Sequence, residues 1–293
     1  LPRLTDGSDM FMSCPKLTSF NIDLPRLTNG RRMFYDTGLT SFSIELPNLT
    51  DGYQMFYYCE NLTSFNIDLP RLTNGQQMFY ECNNLKSFSS NLPNLTGGTN
   101  MFYNCAKLTS FCGDLSNLTD GRWMFDGCTI LTTFNSNLSS LTNGDGMFSR
   151  CKLDAQSVAN IVHTLPIHET SGTINFGIGC DDTVQDQLLF AQECDCETWQ
   201  ELLDEFSAKN WQASFSCNGR PTTTYNMRRG ETLPIYAKLE EVTDEKHAQY
   251  TSADGSKFFN INYFHSTNGS TEGYDVFSSL EEAISTYNVT PKN

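Results

Sequence analysis

Seven near-copies of a 23-residue unit fill the first half of this 293-residue chain. The copies begin at Leu1, Leu24, Leu46, Leu69, Leu92, Leu115 and Leu138. A unit this short cannot bury its own apolar face, so neighbouring units must stack and share one continuous core. The period therefore predicts a solenoid and excludes most enzyme folds.

The unit reads L-P-x-L-T-[DN]-G-x-x-M-F-x-x-C-x-x-L-T-S-F-x-x-D. Its Leu-Thr-Ser-Phe segment, for example residues 17–22 and 62–67, alternates apolar and polar residues and predicts the strand of each coil. The polar residue of this segment is expected on the outer, concave face of a parallel sheet, at Ser19, Ser41, Ser64, Ser87, Ser110 and Thr133. The Met-Phe-x-x-Cys-x-x-Leu segment has helical spacing and predicts one or two turns on the convex side. The repeated Gly before it indicates either a positive φ or a crowded backbone.

This template resembles the BspA-like class of leucine-rich repeats, through the Met-Phe-x-x-Cys-x-x-Leu core, over residues 1–153. The resemblance implies an α/β solenoid with a right-handed coil. It also implies a non-enzymatic recognition or adhesion protein, extracellular or at the cell surface, that binds a host protein, a glycan or a neighbouring cell. The alternative is a structural or receptor-binding component of a bacteriophage tail or virion.

Six of the eleven cysteines occupy one repeat position: Cys14, Cys59, Cys82, Cys105, Cys128 and Cys151. Equivalent atoms in stacked coils lie about 4.8 Å apart with parallel side chains, a geometry that does not suit a disulfide. We therefore expect a file of buried thiols, in which Thr37 replaces one Cys. Outside the repeats come Cys180, Cys194, Cys196 and Cys217. Their spacing lacks the paired knuckles of a zinc site, so they are expected to be buried or loop thiols.

Residues 154–217 predict a helix-containing cap that continues the sheet and seals the core. A helix follows Asp154 as its N-cap, then come a strand at 173–178, helices at 183–192 and 197–208, and a strand at 211–215. Residues 218–232 read as a polar linker. Residues 233–293 predict a small α+β module with a strand at 235–242, a hairpin at 249–264 that turns at Asp254-Gly255, and a helix at 279–287 capped by Ser278.

The chain has a net charge of −15, most of it beyond residue 153. This acidity argues against nucleic acid and anionic lipid as partners. No apolar run is long enough to span a membrane. The four histidines lie outside any metal or catalytic motif, so we expect no enzyme activity, cofactor or metal. The chain starts within the repeat register without Met or a signal peptide, and so is expected to begin after processing, without its N-terminal targeting information.

The positions that vary between units flank Met-Phe, and several carry Tyr, Trp or Arg, the residues typical of recognition surfaces. Coil stacking is expected to align them as an exposed strip along one edge or the convex side. The candidate binding residues are Arg31, Arg32, Tyr35, Tyr53, Tyr57, Tyr80, Tyr103, Arg122 and Trp123. Drift at unconstrained surface sites, with the tyrosines packed on one another, is the alternative interpretation. The ligand and the oligomeric state are not readable from the sequence.

Overall fold

A computed structural model of the chain describes residues 1–180, 184–218, 235–242, 249–252, 256–265, 275–277 and 280–291. The chain forms two compact units, Leu1–Pro221 and Thr222–Asn293. Most of the expected linker, the hairpin turn at Asp254-Gly255 and the capping Ser278 lie outside the described residues.

In the first unit, successive coils pair in parallel through the Leu-Thr-Ser-Phe segment. Each strand is only two residues long: β1 Ser64–Phe65, β2 Ser87–Phe88, β3 Ser110–Phe111 and β4 Thr133–Phe134. β1 pairs with β2 and β3 with β4. In each strand Phe is buried and the polar residue is half-buried or exposed. The inside and outside assignments are confirmed, but residues 17–22 of the first coil form no strand.

A second parallel ladder joins the coils at the Asp or Asn before the repeated Gly, as in the bridge between Asn29 and Asp51. The Asn29 side chain also accepts the backbone N–H of Arg31 at 3.1 Å, the bond pattern of an Asx-turn. The following Gly has no positive φ. A Cβ on Gly30 would lie only 2.7 Å from Met55 Sδ in the next coil, so crowding between coils explains this glycine.

The Met-Phe segment is not helical, which corrects the prediction from its spacing. Some of its N–H groups close turns within the coil, as from Met33 to Gly30 O at 3.0 Å, and others donate to the next coil, as from Phe34 to Met55 O at 2.9 Å. Arg32 and Asp36 have φ of 50° and 53°. These turns point the apolar pair inward at nearly the spacing of a helix. They also leave backbone N–H groups that donate to the neighbouring coil. A helix would use those groups internally.

The solenoid core contains two files of stacked phenylalanines. In one file Phe56 and Phe79 lie 5.4 Å apart between ring centroids, and in the other Phe65 and Phe88 lie 5.8 Å apart. Rings of the two files meet edge to face, with Phe65 4.9 Å from Phe79. Offset-stacked and edge-to-face pairs are favourable aromatic geometries, so each coil stabilises both of its neighbours.

The repeat cysteines form the expected buried file, except at Cys14. Five of them are fully buried and form no disulfide: Cys59, Cys82, Cys105, Cys128 and Cys151. Each thiol donates to the carbonyl of a repeat Phe in the preceding coil, for example Cys82 to Phe56 O at 3.2 Å. Cys14 is exposed and its thiol faces Met12 O of its own coil at 3.8 Å, which corrects the expectation that all six are buried.

The cap consists of β5 Gly144–Leu153, α1 Ala155–Thr164, β6 Gly172–Ile178, α2 Val184–Glu193, α3 Trp199–Ala208 and β7 Trp211–Cys217. These bounds confirm the expected helices and strands, and Asp154 accepts the Ser157 N–H of α1 at 2.8 Å. The three strands form a parallel sheet in the order β5-β6-β7. β5 contains the last Met-Phe pair and was not expected as a strand, so the cap sheet extends the Met-Phe side of the solenoid.

Helix α1 covers the other side, where the Leu-Thr-Ser-Phe ladder ends. Ser157 Oγ accepts the Phe134 N–H at 2.8 Å, and Asn160 Nδ2 donates to Ser136 O at 3.1 Å. Lys209 holds the end of α1. Its ammonium donates to three carbonyls there, with the shortest bond to Val162 O at 2.7 Å. The helix thus satisfies backbone groups that the next coil would otherwise pair.

A disulfide joins Cys180 and Cys217, which corrects the prediction of free thiols. The two residues lie at and just beyond the ends of the adjacent strands β6 and β7, so their Cα atoms are 5.1 Å apart, within the range for a disulfide. Cys194 and Cys196 are buried thiols, and the Cys194 thiol donates to Ala155 O at 3.4 Å.

The described elements of the second compact unit are β8 Ile235–Val242, β9 Tyr250–Ser252, β10 Phe258–His265, β11 Asp275–Phe277, α4 Leu280–Thr286 and β12 Val289–Pro291. These strands form a sheet in the order β11-β8-β10-β9-β12, and their pairings are antiparallel. The expected strands and helix are present, whereas β11 and β12 were not predicted. Ile261, Ala283 and Val289 are buried together, which joins α4 to the sheet.

Candidate functional site

The varying positions lie on the outside of the Met-Phe ladder, in one pair before Met-Phe and one pair after it. The second residue of each pair has a positive φ, at Asp9, Arg32, Gln54, Gln77, Asn100, Trp123 and Gly146 before Met-Phe, and at Ser13, Asp36, Tyr58, Glu81, Asn104, Gly127 and Arg150 after it. The left-handed conformation is costly for a side chain branched at Cβ. None of these residues is Val, Ile or Thr, so the backbone conformation limits which residue types occur at these positions.

Tyr35, Tyr57, Tyr80 and Tyr103 form a continuous stack over four coils. Their ring centroids lie 4.7, 4.6 and 4.7 Å apart, and consecutive planes are within 5° of parallel. The rings are half-buried because each covers the faces of its neighbours. Burial, with the neighbouring tyrosines, raises the pKa of Tyr57 well above its usual value. The stack therefore presents ring edges and neutral hydroxyls rather than open ring faces.

Tyr58 lies across this stack and was not among the predicted site residues. Its ring is 4.6 Å from that of Tyr57 and 6.1 Å from that of Tyr80, with planes 85° and 82° apart. Tyr58 is 39% exposed, more than any tyrosine of the stack. The consecutive Tyr57-Tyr58 pair, found in one unit only, was the available sequence signal.

Arg150 closes one end of the stack and was also missed. Its guanidinium lies 5.4 Å from the Tyr103 ring centroid, and its Nε donates to Asp126 Oδ1 at 2.7 Å. It reaches past Gly127 to Asn104 Oδ1 at 3.2 Å. A Cβ on Gly127 would collide with the Asn104 carboxamide. The tyrosine file ends at Asp126-Gly127, and the Arg150 side chain packs at that position.

The pairs before Met-Phe form a second row beside the stack. Arg31 lies 4.5 Å from the Tyr53 ring centroid and 3.2 Å from Asp51. Arg32 pairs with Asp9 at 2.7 Å, one coil away.

Trp123 and Arg122 end this row near the cap. Trp123 is 38% exposed and its indole covers Gly146 of the next coil, where a Cβ would collide with the ring. Arg122 lies 5.9 Å from the Trp123 ring centroid and makes two bonds to Asp120, at 3.0 and 2.8 Å. Burial favours protonation of Asp120, but the bonds from Arg122 outweigh it and hold the pKa of this carboxyl below its usual value.

We call this surface the aromatic strip. It comprises the nine predicted residues with Tyr58 and Arg150: Arg31, Arg32, Tyr35, Tyr53, Tyr57, Tyr58, Tyr80, Tyr103, Arg122, Trp123 and Arg150. Each of its four arginines lies within 3.2 Å of a carboxylate, on Asp51, Asp9, Asp120 and Asp126. The charge of each arginine in the strip is therefore neutralised by a neighbouring carboxylate. Exposed ion pairs of this kind add little stability, but they hold the arginine planes against the rings.

The threonine hydroxyls just before the repeated Asp or Asn bond the backbone of the neighbouring coil. Thr50 donates to Thr28 O at 3.0 Å and Thr73 to Thr50 O at 3.1 Å, and other threonines of this file do the same. Ser87 lies exposed in β2. This residue offers a comparison surface away from the aromatic strip.

Among the described residues, no group of three or more His, Cys, Asp or Glu side chains has the arrangement of a metal site. His168 Nε2 lies 2.9 Å from Thr142 O and its Nδ1 accepts the Thr170 N–H at 3.2 Å, so it ties the cap to the last coil. No helix in the described part of the chain has the length and apolarity to cross a membrane.

The sequence profile of the BspA type leucine rich repeat region matches residues 5–120 and 52–167, in six copies. These matches cover more than half of the chain. Searches of curated proteins and of solved structures found no match.

Proposed function

Because the chain belongs to the BspA-type leucine-rich-repeat family, we propose that it is a recognition or adhesion protein that binds a protein ligand through the aromatic strip. Repeats of this family suggest protein interaction and are generally not enzymes, and the proteins that carry them are typically secreted or on the cell surface. The proposed site of action is accordingly extracellular or at the cell surface, against a host protein or a neighbouring cell.

The observation that carries this proposal is the tyrosine stack with the exposed rings of Tyr58 and Trp123 beside it. Tyr, Trp and Arg are the residues that contribute most binding energy in protein interfaces. Stacking already restricts these side chains, so they lose little rotational freedom when a ligand binds.

A protein ligand fits this surface better than a glycan. Sugar rings bind to the open faces of aromatic side chains, and the faces within the stack are covered by neighbouring rings at 4.6 to 4.7 Å. Within the stack the accessible parts are ring edges and hydroxyls, and the hydroxyls donate to and accept from peptide groups.

Selection from a random peptide library on the immobilised full chain tests the proposal, since it requires no identified ligand. Selected peptides should lose binding to Tyr58→Ala and Trp123→Ala, and should keep it for Ser87→Ala on the other ladder. Truncating an interface anchor weakens binding by roughly tenfold or more. Peptides that respond to Ser87→Ala and ignore both strip variants would reject the assignment.

The same experiment bears on a role as a virion component. A spacer in a tail fibre needs no ligand surface along its solenoid, so it predicts that no peptide depends on the strip. Strip-dependent binding therefore favours recognition over the structural alternative.

A further inference from the structure

We infer that the ligand segment bound by the aromatic strip is an uncharged, proline-rich stretch in the polyproline II conformation, lying along the solenoid axis. This inference rests on the proposed function and names the chemical class of the ligand.

The repeat distance of the strip carries the inference. Consecutive tyrosines are 4.6 to 4.7 Å apart, so two coils advance the ring position by about 9.3 Å. A polyproline II helix rises about 3.1 Å per residue with three residues per turn, and also repeats every 9.3 Å or so. Every third ligand residue would therefore meet the same part of every second coil, from Tyr35 to Tyr80 or from Tyr57 to Tyr103.

Other regular conformations do not fit this spacing. In an extended strand, side chains on one face recur about every 6.6 to 6.8 Å, which matches neither one coil nor two. An α-helix has a pitch of about 5.4 Å and would drift by roughly 2 Å over the three steps of the stack.

The chemistry of the strip also suits a proline-rich segment. Proline lacks a backbone N–H, and the polyproline II conformation leaves its carbonyls without internal hydrogen bonds. Such a ligand needs donors and flat apolar surface from its partner. The tyrosine hydroxyls and the Trp123 indole N–H are donors. The exposed rings of Tyr58 and Trp123 supply apolar aromatic surface of the kind that lines the grooves for proline-rich ligands in other domains.

The charge of the strip favours an uncharged ligand. Each arginine is already paired, as Arg31 is with Asp51 at 3.2 Å and Arg150 with Asp126 at 2.7 Å. A strongly acidic or basic segment would have to break these pairs or face a charge of its own sign. A neutral segment leaves them intact.

Three synthetic uncharged peptides of equal length test the inference by titration calorimetry on the full chain. The first has Pro at every third position, the second has Pro at every second position, and the third is a flexible Gly/Ser peptide. The first should bind best, and Tyr58→Ala should weaken it roughly tenfold. Tyr80→Phe keeps the stack and removes one hydroxyl, so it should weaken binding less. Ser87→Ala is the matched control.

Each outcome has a distinct meaning. Equal binding of the two proline peptides would refute the match between the polyproline II repeat and the spacing of two coils. Equal binding of the Gly/Ser peptide would refute the claim that the ligand binds in the polyproline II conformation. Peptides from the random library that depend on Tyr58 but lack Pro would refute the ligand class and leave the proposed function standing. Failure to obtain any strip-dependent peptide would refute the proposed function itself. Circular dichroism of each variant shows that a loss of binding is not a loss of fold.

Discussion

The carboxamide of Asn74 donates to the carboxylate of Asp51 at 2.9 Å, across the gap between two neighbouring coils. The file to which they belong reads Asp6, Asn29, Asp51, Asn74, Gly97, Asp120 and Asn143. No two aspartates are adjacent in it. Identical carboxylates in neighbouring coils would repel at about 4.8 Å. The Asn and Gly residues between the aspartates keep like charges at least two coils apart.

Asn74→Asp should therefore destabilise the solenoid, since it places a second carboxylate beside Asp51 and removes the amide donor. We expect a loss of about 1–2 kcal/mol near pH 7 in urea unfolding. Roughly 1 M salt shortens the screening length to about 3 Å, below the separation of the two carboxylates, so the difference from wild type should shrink as salt is added. Asn74→Ser, which adds no charge, is the control. A loss that is equal at low and high salt would show that repulsion is not its cause.

Thiol reactivity should separate the exposed cysteines from the buried file. Cys14 and Cys112 are exposed and free, whereas Cys82 has no exposed surface. Burial raises the pKa of the Cys59 thiol to about 11, so very little reactive thiolate exists there near neutral pH. A maleimide should label Cys14 and Cys112 quickly in the native protein and Cys59 and Cys82 only after unfolding, as read by mass spectrometry. Labelling of Cys82 at the rate of Cys14 would contradict the buried file.

Loss of one core ring should cost far more than loss of a surface hydroxyl. Phe79 is fully buried and stacks on Phe56 and Phe102, at 5.4 and 5.5 Å. We expect Phe79→Ala to lower the free energy of unfolding by about 3–5 kcal/mol. Ser87→Ala should change it by no more than about 0.5 kcal/mol. Denaturant midpoints of the two variants provide the comparison, and similar losses would mean that the inward and outward assignments are wrong.

The repeat period made much of the solenoid predictable from sequence, because every coil must satisfy the same packing. It placed the inward Phe, the buried thiols and the aligned tyrosines in register. It failed at the Met-Phe segment, since turns with a residue of positive φ, such as Gln54, space the apolar side chains almost as a helix does. For the same reason β5, which contains the last Met-Phe pair, was not predicted as a strand.

The disulfide between Cys180 and Cys217 was missed for another reason. Its geometry depends on β6 and β7 lying side by side, and the spacing of cysteines in sequence carries no information about that pairing. The sequence also did not predict which parts of the candidate site are exposed. Register predicts that Tyr57 and Tyr80 align, but only the ring orientations show that their faces are covered and that Tyr58 lies across them.

Gln77 provides the sharpest test of the backbone constraint on the varying positions. Its φ is +56°, a conformation that a residue branched at Cβ adopts only with strain. Gln77→Val should lower the free energy of unfolding by about 1–2 kcal/mol. Gln77→Gly loses the same hydrogen bond from Gln54 Nε2, which is 2.7 Å long, but it should cost less because Gly has no Cβ. Gln76→Val is the matched control, since the neighbouring residue has no positive φ. Urea unfolding of the three variants gives the order. If Val at positions 76 and 77 cost the same, the constraint would not lie in the left-handed backbone, and the absence of branched residues from these files would need another cause.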